Sequence, residues 1–122
     1  MKKLFVALLV ALIFGVSGCG LKEPTLEQQA AWEAESGAFP ENYQDIVKRH
    51  FYNTLFDPYS AHYDFQGEPY CGYMRSPLLG YEHGWVGSVS VNAKNRFGAY
   101  VGARMWLYII RNGSLIKITP QM

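Results

Sequence analysis

The chain has 122 residues, with eleven Lys plus Arg against ten Asp plus Glu for a net charge of +1, and it carries nine Tyr, seven Phe and three Trp. Its basic residues are scattered, so the sequence shows no footprint for a phosphate backbone, and nucleic acid is not an expected partner. The length allows one small core but not two domains.

The N-terminus reads as an address. Met1-Lys2-Lys3 is a short basic start, Leu4 to Phe14 is wholly apolar, and Val16-Ser17-Gly18-Cys19 follows with small residues. That order describes an export signal, and the apolar run falls short of the ~20 residues needed to cross a hydrocarbon core. Val16-Ser17-Gly18-Cys19 resembles the lipobox of bacterial lipoproteins. The resemblance implies that residues 1–18 are removed as a signal peptide and that Cys19 is fatty-acylated and becomes the first mature residue. An ordinary signal peptide or a retained anchor are the alternatives. Gly20, standing where an Asp would signal retention, implies delivery to the outer membrane of a Gram-negative cell, with the domain on the periplasmic face. Several acyl chains, at about 0.8 kcal/mol per buried CH₂, anchor stably to a bilayer without a transmembrane helix. Loss of Lys2 and Lys3 leaves nine basic residues against ten acidic, a net charge near −1. Cys71 is then the only thiol outside the lipidated one, which excludes an intrachain disulfide. A single thiol in an oxidising compartment is either buried and inert or paired between chains, and lying between Tyr70 and Gly72, with no local feature that would activate it, Cys71 is expected to be buried.

Residues 19–38 form the anchor and linker. Thr25 and Gln28 make a capping-box pattern before the helix formers Leu26 to Glu35, and Ser36-Gly37 supplies a stop. The apolar stripe there is poor, so this short helix would be held down, if at all, by Trp32. Residues 39–122 read as a single α+β domain. From Glu41 to Phe56, the positions Tyr43, Ile46, Val47, His50, Phe51, Thr54 and Leu55 recur at spacings of three and four, the core stripe of an amphipathic helix. Asp57-Pro58 ends it. Tyr59, Ala61, Tyr63 and Phe65 alternate with polar residues, predicting a short strand with its aromatics inward. A weaker strand runs from Tyr70 to Met74 or Arg75, and residues 75–84, broken by Pro77, Gly80 and Gly84, read as a loop.

The longest pattern is a hairpin from Trp85 to Ile110. Trp85, Gly87, Val89, Val91 and Ala93 alternate with Ser88, Ser90, Asn92 and Lys94 on the first arm. The second arm sets Ala99, Val101, Ala103, Met105, Leu107 and Ile109 against Tyr100, Gly102, Arg104, Trp106 and Tyr108. A turn at Lys94–Gly98 would join them, with the odd-numbered side chains facing the helix. Asn112-Gly113 predicts a tight turn into a last strand at Leu115–Ile118. The expected fold is an antiparallel sheet of four to five strands with one main amphipathic helix on one face. Gly87 and Gly102 weaken their strands unless an aromatic lies across them or the strand bulges there.

The sequence carries no catalytic signature, and no cofactor or metal is expected. His50, His62 and His83 lack zinc-ligand spacing: His50 lies on the helix stripe, while His62 and His83 would need Asp64 or Glu68 to converge with them. Asp57, Asp64, Glu68 and Glu82 could form the carboxylate pair of a glycan hydrolase only through tertiary proximity. Ser60, Ser76, Ser88 and Ser90 lack a nucleophile-elbow context. Tyr100, Arg104, Trp106 and Tyr108 share one side of the second arm. Either that side is a bare binding surface, with the residue types of interface hot spots, or the sheet is covered there by the N-terminal segment or the 75–84 loop.

Asp57-Pro58-Tyr59-Ser60-Ala61, Gly84-Trp85-Val86 and Val91-Asn92-Ala93-Lys94-Asn95-Arg96-Phe97-Gly98-Ala99-Tyr100-Val101-Gly102 together resemble a pattern of small, mostly uncharacterised bacterial envelope lipoproteins and exported proteins. The resemblance implies a compact helix-plus-sheet domain and brings no active site. The functional expectation is a non-enzymatic, membrane-anchored envelope lipoprotein serving as a protein-interaction or accessory subunit. It would meet the lipid bilayer through acylated Cys19 and an envelope protein through its domain. A peptidoglycan- or small-ligand-binding module is the alternative, and a cell-wall hydrolase using Glu68, Glu82 or His83 the remote one.

Overall fold

A computed structural model describes residues 23–76 and 80–121. The expected signal peptide, lipobox and Cys19 lie outside the described residues. The elements in chain order are α1 (Leu26–Glu35), α2 (Tyr43–Thr54), a 3-10 turn (Pro58–Ser60), β1 (His62–Phe65), β2 (Tyr70–Ser76), β3 (Gly80–Asn92), β4 (Arg104–Arg111) and β5 (Ser114–Pro120). The five strands form one antiparallel sheet with the helices against it, the α+β architecture that the patterning predicts.

α1 begins as its sequence dictates. Thr25 Oγ1 accepts from the Gln28 backbone N–H at 3.1 Å, and Gln28 Oε1 accepts from the Thr25 N–H at 3.1 Å. No residue of α1 is fully buried. It docks through Trp32, whose ring stacks on His83 (5.2 Å, 9°) and meets Tyr73 and Tyr81 at 5.7 and 6.1 Å. Its C-terminal carbonyls, which the helix cannot satisfy itself, accept from Asn112: the backbone N–H reaches Ser36 O and Nδ2 reaches Glu35 O.

α2 buries Val47 and Phe51 completely, the centre of its predicted stripe. It stops at Thr54, two residues earlier than expected, and Thr54, expected on the core stripe, is exposed. The Asp57-Pro58 break builds a 3-10 turn, not the start of a strand, and this swings Tyr59 outward. Tyr63 and Phe65 point inward as predicted, packing on Phe51 and Tyr43.

The sheet is a meander in which β3 is central. β1 and β2 pair in line along one edge of β3, from His62↔Asn92 to Phe65↔Val89 and from Tyr70↔Val86 to Ser76↔Gly80. Gln66 to Pro69 bulge between them opposite Gly87 and Ser88, with Gly67 at φ +68°. Most of the predicted 75–84 loop is thus strand. Gly80 and Gly84 adopt positive φ within it, and the aromatic docking of Trp32 on Tyr81 and His83 supplies the stability that local propensity lacks. At the other side β4 and β5 join through Asn112-Gly113, both at positive φ, the twist-matched two-residue turn the sequence predicts.

The predicted hairpin exists, but its faces are reversed on the second arm. β3 and β4 pair as Trp85↔Ile110, Gly87↔Tyr108, Val89↔Trp106 and Val91↔Arg104. Odd residues of the first arm therefore share a face with even residues of the second. The reason is the connection: residues 93–103 separate the strands, with only a Lys94↔Tyr100 bridge inside the loop. Gly98 and Gly102, both at positive φ, absorb the difference. A shift of one residue moves every side chain of a strand to the opposite face. Hence Tyr108, Trp106 and Ile110 face α2, while Met105, Leu107 and Ile109 face away. The core is Val47, Phe51, Val89, Val91, Tyr108 and Ile110. The Tyr108 ring lies across Gly87, where a Cβ would collide with it, so the expectation of an aromatic over that glycine holds.

Candidate functional site

The sheet register divides the four residues expected to form a binding surface. Tyr108 is wholly buried, and Trp106 is half-buried with its ring edge-on to Phe51 at 5.3 Å. These two are core under α2. Burial pushes the Tyr108 phenol far above its ordinary value, and its hydroxyl has no hydrogen-bond partner among the described residues. Tyr100 and Arg104 remain exposed, Tyr100 in the long loop between β3 and β4 and Arg104 at the first position of β4, its guanidinium over the Trp106 ring at 5.6 Å.

That loop is an organised structure. Asn95 Oδ1 accepts from the backbone N–H groups of Phe97 (2.9 Å) and Ala99 (3.2 Å). Asn95 N–H donates to Ala99 O and Gly98 N–H to Asn95 O, closing a turn with Gly98 at φ +75°. The turn is fastened to the connection between α2 and β1. Tyr100 Oη donates to Ser60 O at 2.8 Å and approaches His62 Nε2 at 3.2 Å. Lys94 N–H donates to Ser60 Oγ at 2.9 Å, and that hydroxyl donates to Asp57 O. Tyr59 Oη and Tyr52 Oη share a 2.6 Å hydrogen bond.

Two loops are thereby locked into one end of the domain, and the large exposed apolar side chains concentrate there. Phe97 is 92% exposed, Tyr59 83%, Val101 76% and Phe56 67%. Lys94, Arg96 and Arg104 interleave with them, with no acidic residue between 93 and 104. Sequence reading missed this site because it treated Asn95–Gly98 as a minimal turn and Tyr59 as core. The signal was present: residues 83–122 contain five Lys plus Arg and no Asp or Glu, whereas residues 23–47 contain six Asp plus Glu and no Lys or Arg.

A second feature lies at the other end of β3. A groove of about 530 Å³ between α1 and β2 is lined by Gln29, Trp32 and Glu33 of the helix and by the strand from Tyr70 to Tyr73, Cys71 included. Cys71 is half-buried rather than sequestered, which corrects the expectation of full burial. Beside the groove His83 is nearly buried and contacts Glu35 Oε2 at 3.0 Å, while Arg111 Nε and Nη2 donate to His83 O. Desolvation, reinforced by the Arg111 charge, lowers the imidazole pKa below its ordinary value against the opposing pull of Glu35.

The residues considered for catalysis are dispersed. His50 packs edge-on against Phe51 on α2, His62 sits by Tyr100, and His83 lies under Trp32. Glu82 pairs with Lys117 at 3.5 Å, and Glu68 is exposed in the bulge between β1 and β2. Among the described residues no three His, Cys, Asp or Glu side chains form a metal-binding group, and no helix is long and apolar enough to cross a membrane. Compared with protein-family models, curated proteins and solved structures, the chain matches none.

Proposed function

We propose that this chain is a non-enzymatic envelope lipoprotein, anchored through acylated Cys19, that serves as a protein-interaction or accessory subunit. The anchor and the outer-membrane setting rest on the basic-apolar-small order of residues 1–18 and on Val16-Ser17-Gly18-Cys19. The interaction surface is the loop end of the domain, residues 56–60 with 94–104. One observation carries this reading: Phe97, Tyr59, Val101 and Phe56 are left in water on two loops that hydrogen bonds hold to each other. A cluster of exposed apolar groups rimmed by charge marks an interaction site. Burying one phenylalanine of this kind against a partner contributes about 1.5–3 kcal/mol. Preorganised loops lose little entropy when they dock, so that gain is kept.

The test is photocrosslinking in cells at native expression, with benzoylphenylalanine incorporated at position 97 or, as a control on the β5 edge, at position 116. Discrete protein adducts are expected at 97 and not at 116. Absence of any discrete adduct at 97 refutes the reading. Mass spectrometry of the mature N-terminus checks the anchor: acylated Cys19 is expected, and an unmodified thiol there overturns it.

A further inference from the structure

We infer that the partner of the loop end is a second copy of this chain: the Arg96–Phe97 tip of one copy seats in the groove between α1 and β2 of the next. This rests on the proposed reading of the loop end as a protein-docking surface and names its occupant.

Charge is the first argument. The tip lies in a stretch with Lys94, Arg96 and Arg104 and no carboxylate, while one wall of the groove is α1, whose charged residues Glu27, Glu33 and Glu35 are all acidic. Glu35 is engaged with His83, but Glu33 lines the groove and has no ion-pair partner among the described residues. Arg96 likewise has none.

Shape is the second argument. The tip is a knob, with Phe97 almost fully in water at the apex of the Asn95 turn. The groove is an aromatic recess whose Trp32, Tyr70 and Tyr73 suit a phenyl ring and an adjacent guanidinium. Its volume of about 530 Å³ lies within the range that holds small ligands.

Position is the third argument. α1 packs on Tyr81 and His83 at the start of β3, whereas the loop leaves β3 at Asn92. The groove residues Tyr70 to Tyr73 pair with Val86 to His83, and the strand from there to Asn92, at ~3.3 Å per residue, sets the two surfaces about 20–30 Å apart. They cannot meet within one molecule. A contact between them joins copies head to tail, leaving a knob unfilled at one end of a row and a groove at the other.

The experiment uses the full chain in its own membranes. Benzoylphenylalanine at position 97 is expected to give a covalent product of twice the chain mass, with the crosslinked peptide drawn from residues 26–35 or 70–76. Arg96→Glu should reduce that product about tenfold, Glu33→Arg should do the same, and the two together should restore it. Both positions are exposed, so neither substitution disturbs the fold. A discrete adduct to a different protein overturns the second-copy inference and leaves the docking surface standing. Failure of the double charge reversal to restore the dimer also overturns the inference. No adduct at all removes both.

Discussion

Tyr108→Phe is expected to stabilise this protein, against the usual outcome of altering a fully buried aromatic. The Tyr108 ring is wholly buried between β3 and α2, lies across Gly87 and is edge-on to Phe65 at 6.4 Å. Phenylalanine keeps all of that. The hydroxyl, by contrast, is sealed from water and unpartnered among the described residues. A buried polar group left unsatisfied costs about 1–3 kcal/mol. Removing it leaves only a small void, so the net gain should be about 1 kcal/mol, or roughly 4–8 °C in Tm for a domain of this size. Urea unfolding of the detergent-solubilised protein, followed by tryptophan fluorescence, measures it. The midpoint should rise with no change in slope. Tyr108→Ala sets the scale of the ring itself and should cost about 3–5 kcal/mol. A Tyr108→Phe variant less stable than the parent by about 1 kcal/mol would refute the reasoning, because it would mean that the hydroxyl is hydrogen-bonded.

Gly87→Ala should destabilise by about 1–3 kcal/mol through overpacking, since its Cβ meets the Tyr108 ring and hydroxyl; an unchanged denaturation midpoint contradicts the placement of that ring. Trp32→Ala should detach α1 alone, because Trp32 supplies the helix's ring contacts; hydrogen exchange should accelerate in residues 26–35 while Val47, Phe51 and Val89 stay protected. His83 titrates lower folded than unfolded, so the unfolded chain takes up its proton first as pH falls. Its contribution is complete above about pH 6.5 and is lost as pH drops through the folded value. Thermal unfolding between pH 7.5 and 5 should therefore show a decline that is shallower in His83→Phe, which keeps the stack on Trp32; an equal decline in both would exclude His83 as its source.

How much of this was legible in the sequence depends on how local the cause is. Thr25 and Gln28 cap α1 with groups three residues apart, the Val47 and Phe51 stripe follows from helical spacing, and Asn112-Gly113 turns because those two residues accept positive φ. Short-range geometry decides all three, so the sequence alone determined them, together with the α+β class. Whether Tyr108 faces core or solvent is another matter. Alternation shows only that Tyr100, Arg104, Trp106 and Tyr108 share a side. Which side depends on how residues 93–103 close the loop, and a single residue of register inverts the answer. The same holds for Tyr81 and His83, whose glycine-broken segment becomes strand only because Trp32, some fifty residues earlier, lies over it. The exposed loop end and the aromatic groove are likewise made by residues distant in the chain. Pattern determines which side chains travel together, and tertiary packing decides where they arrive, because the free energy that selects a register comes from the partner surface and not from the strand itself.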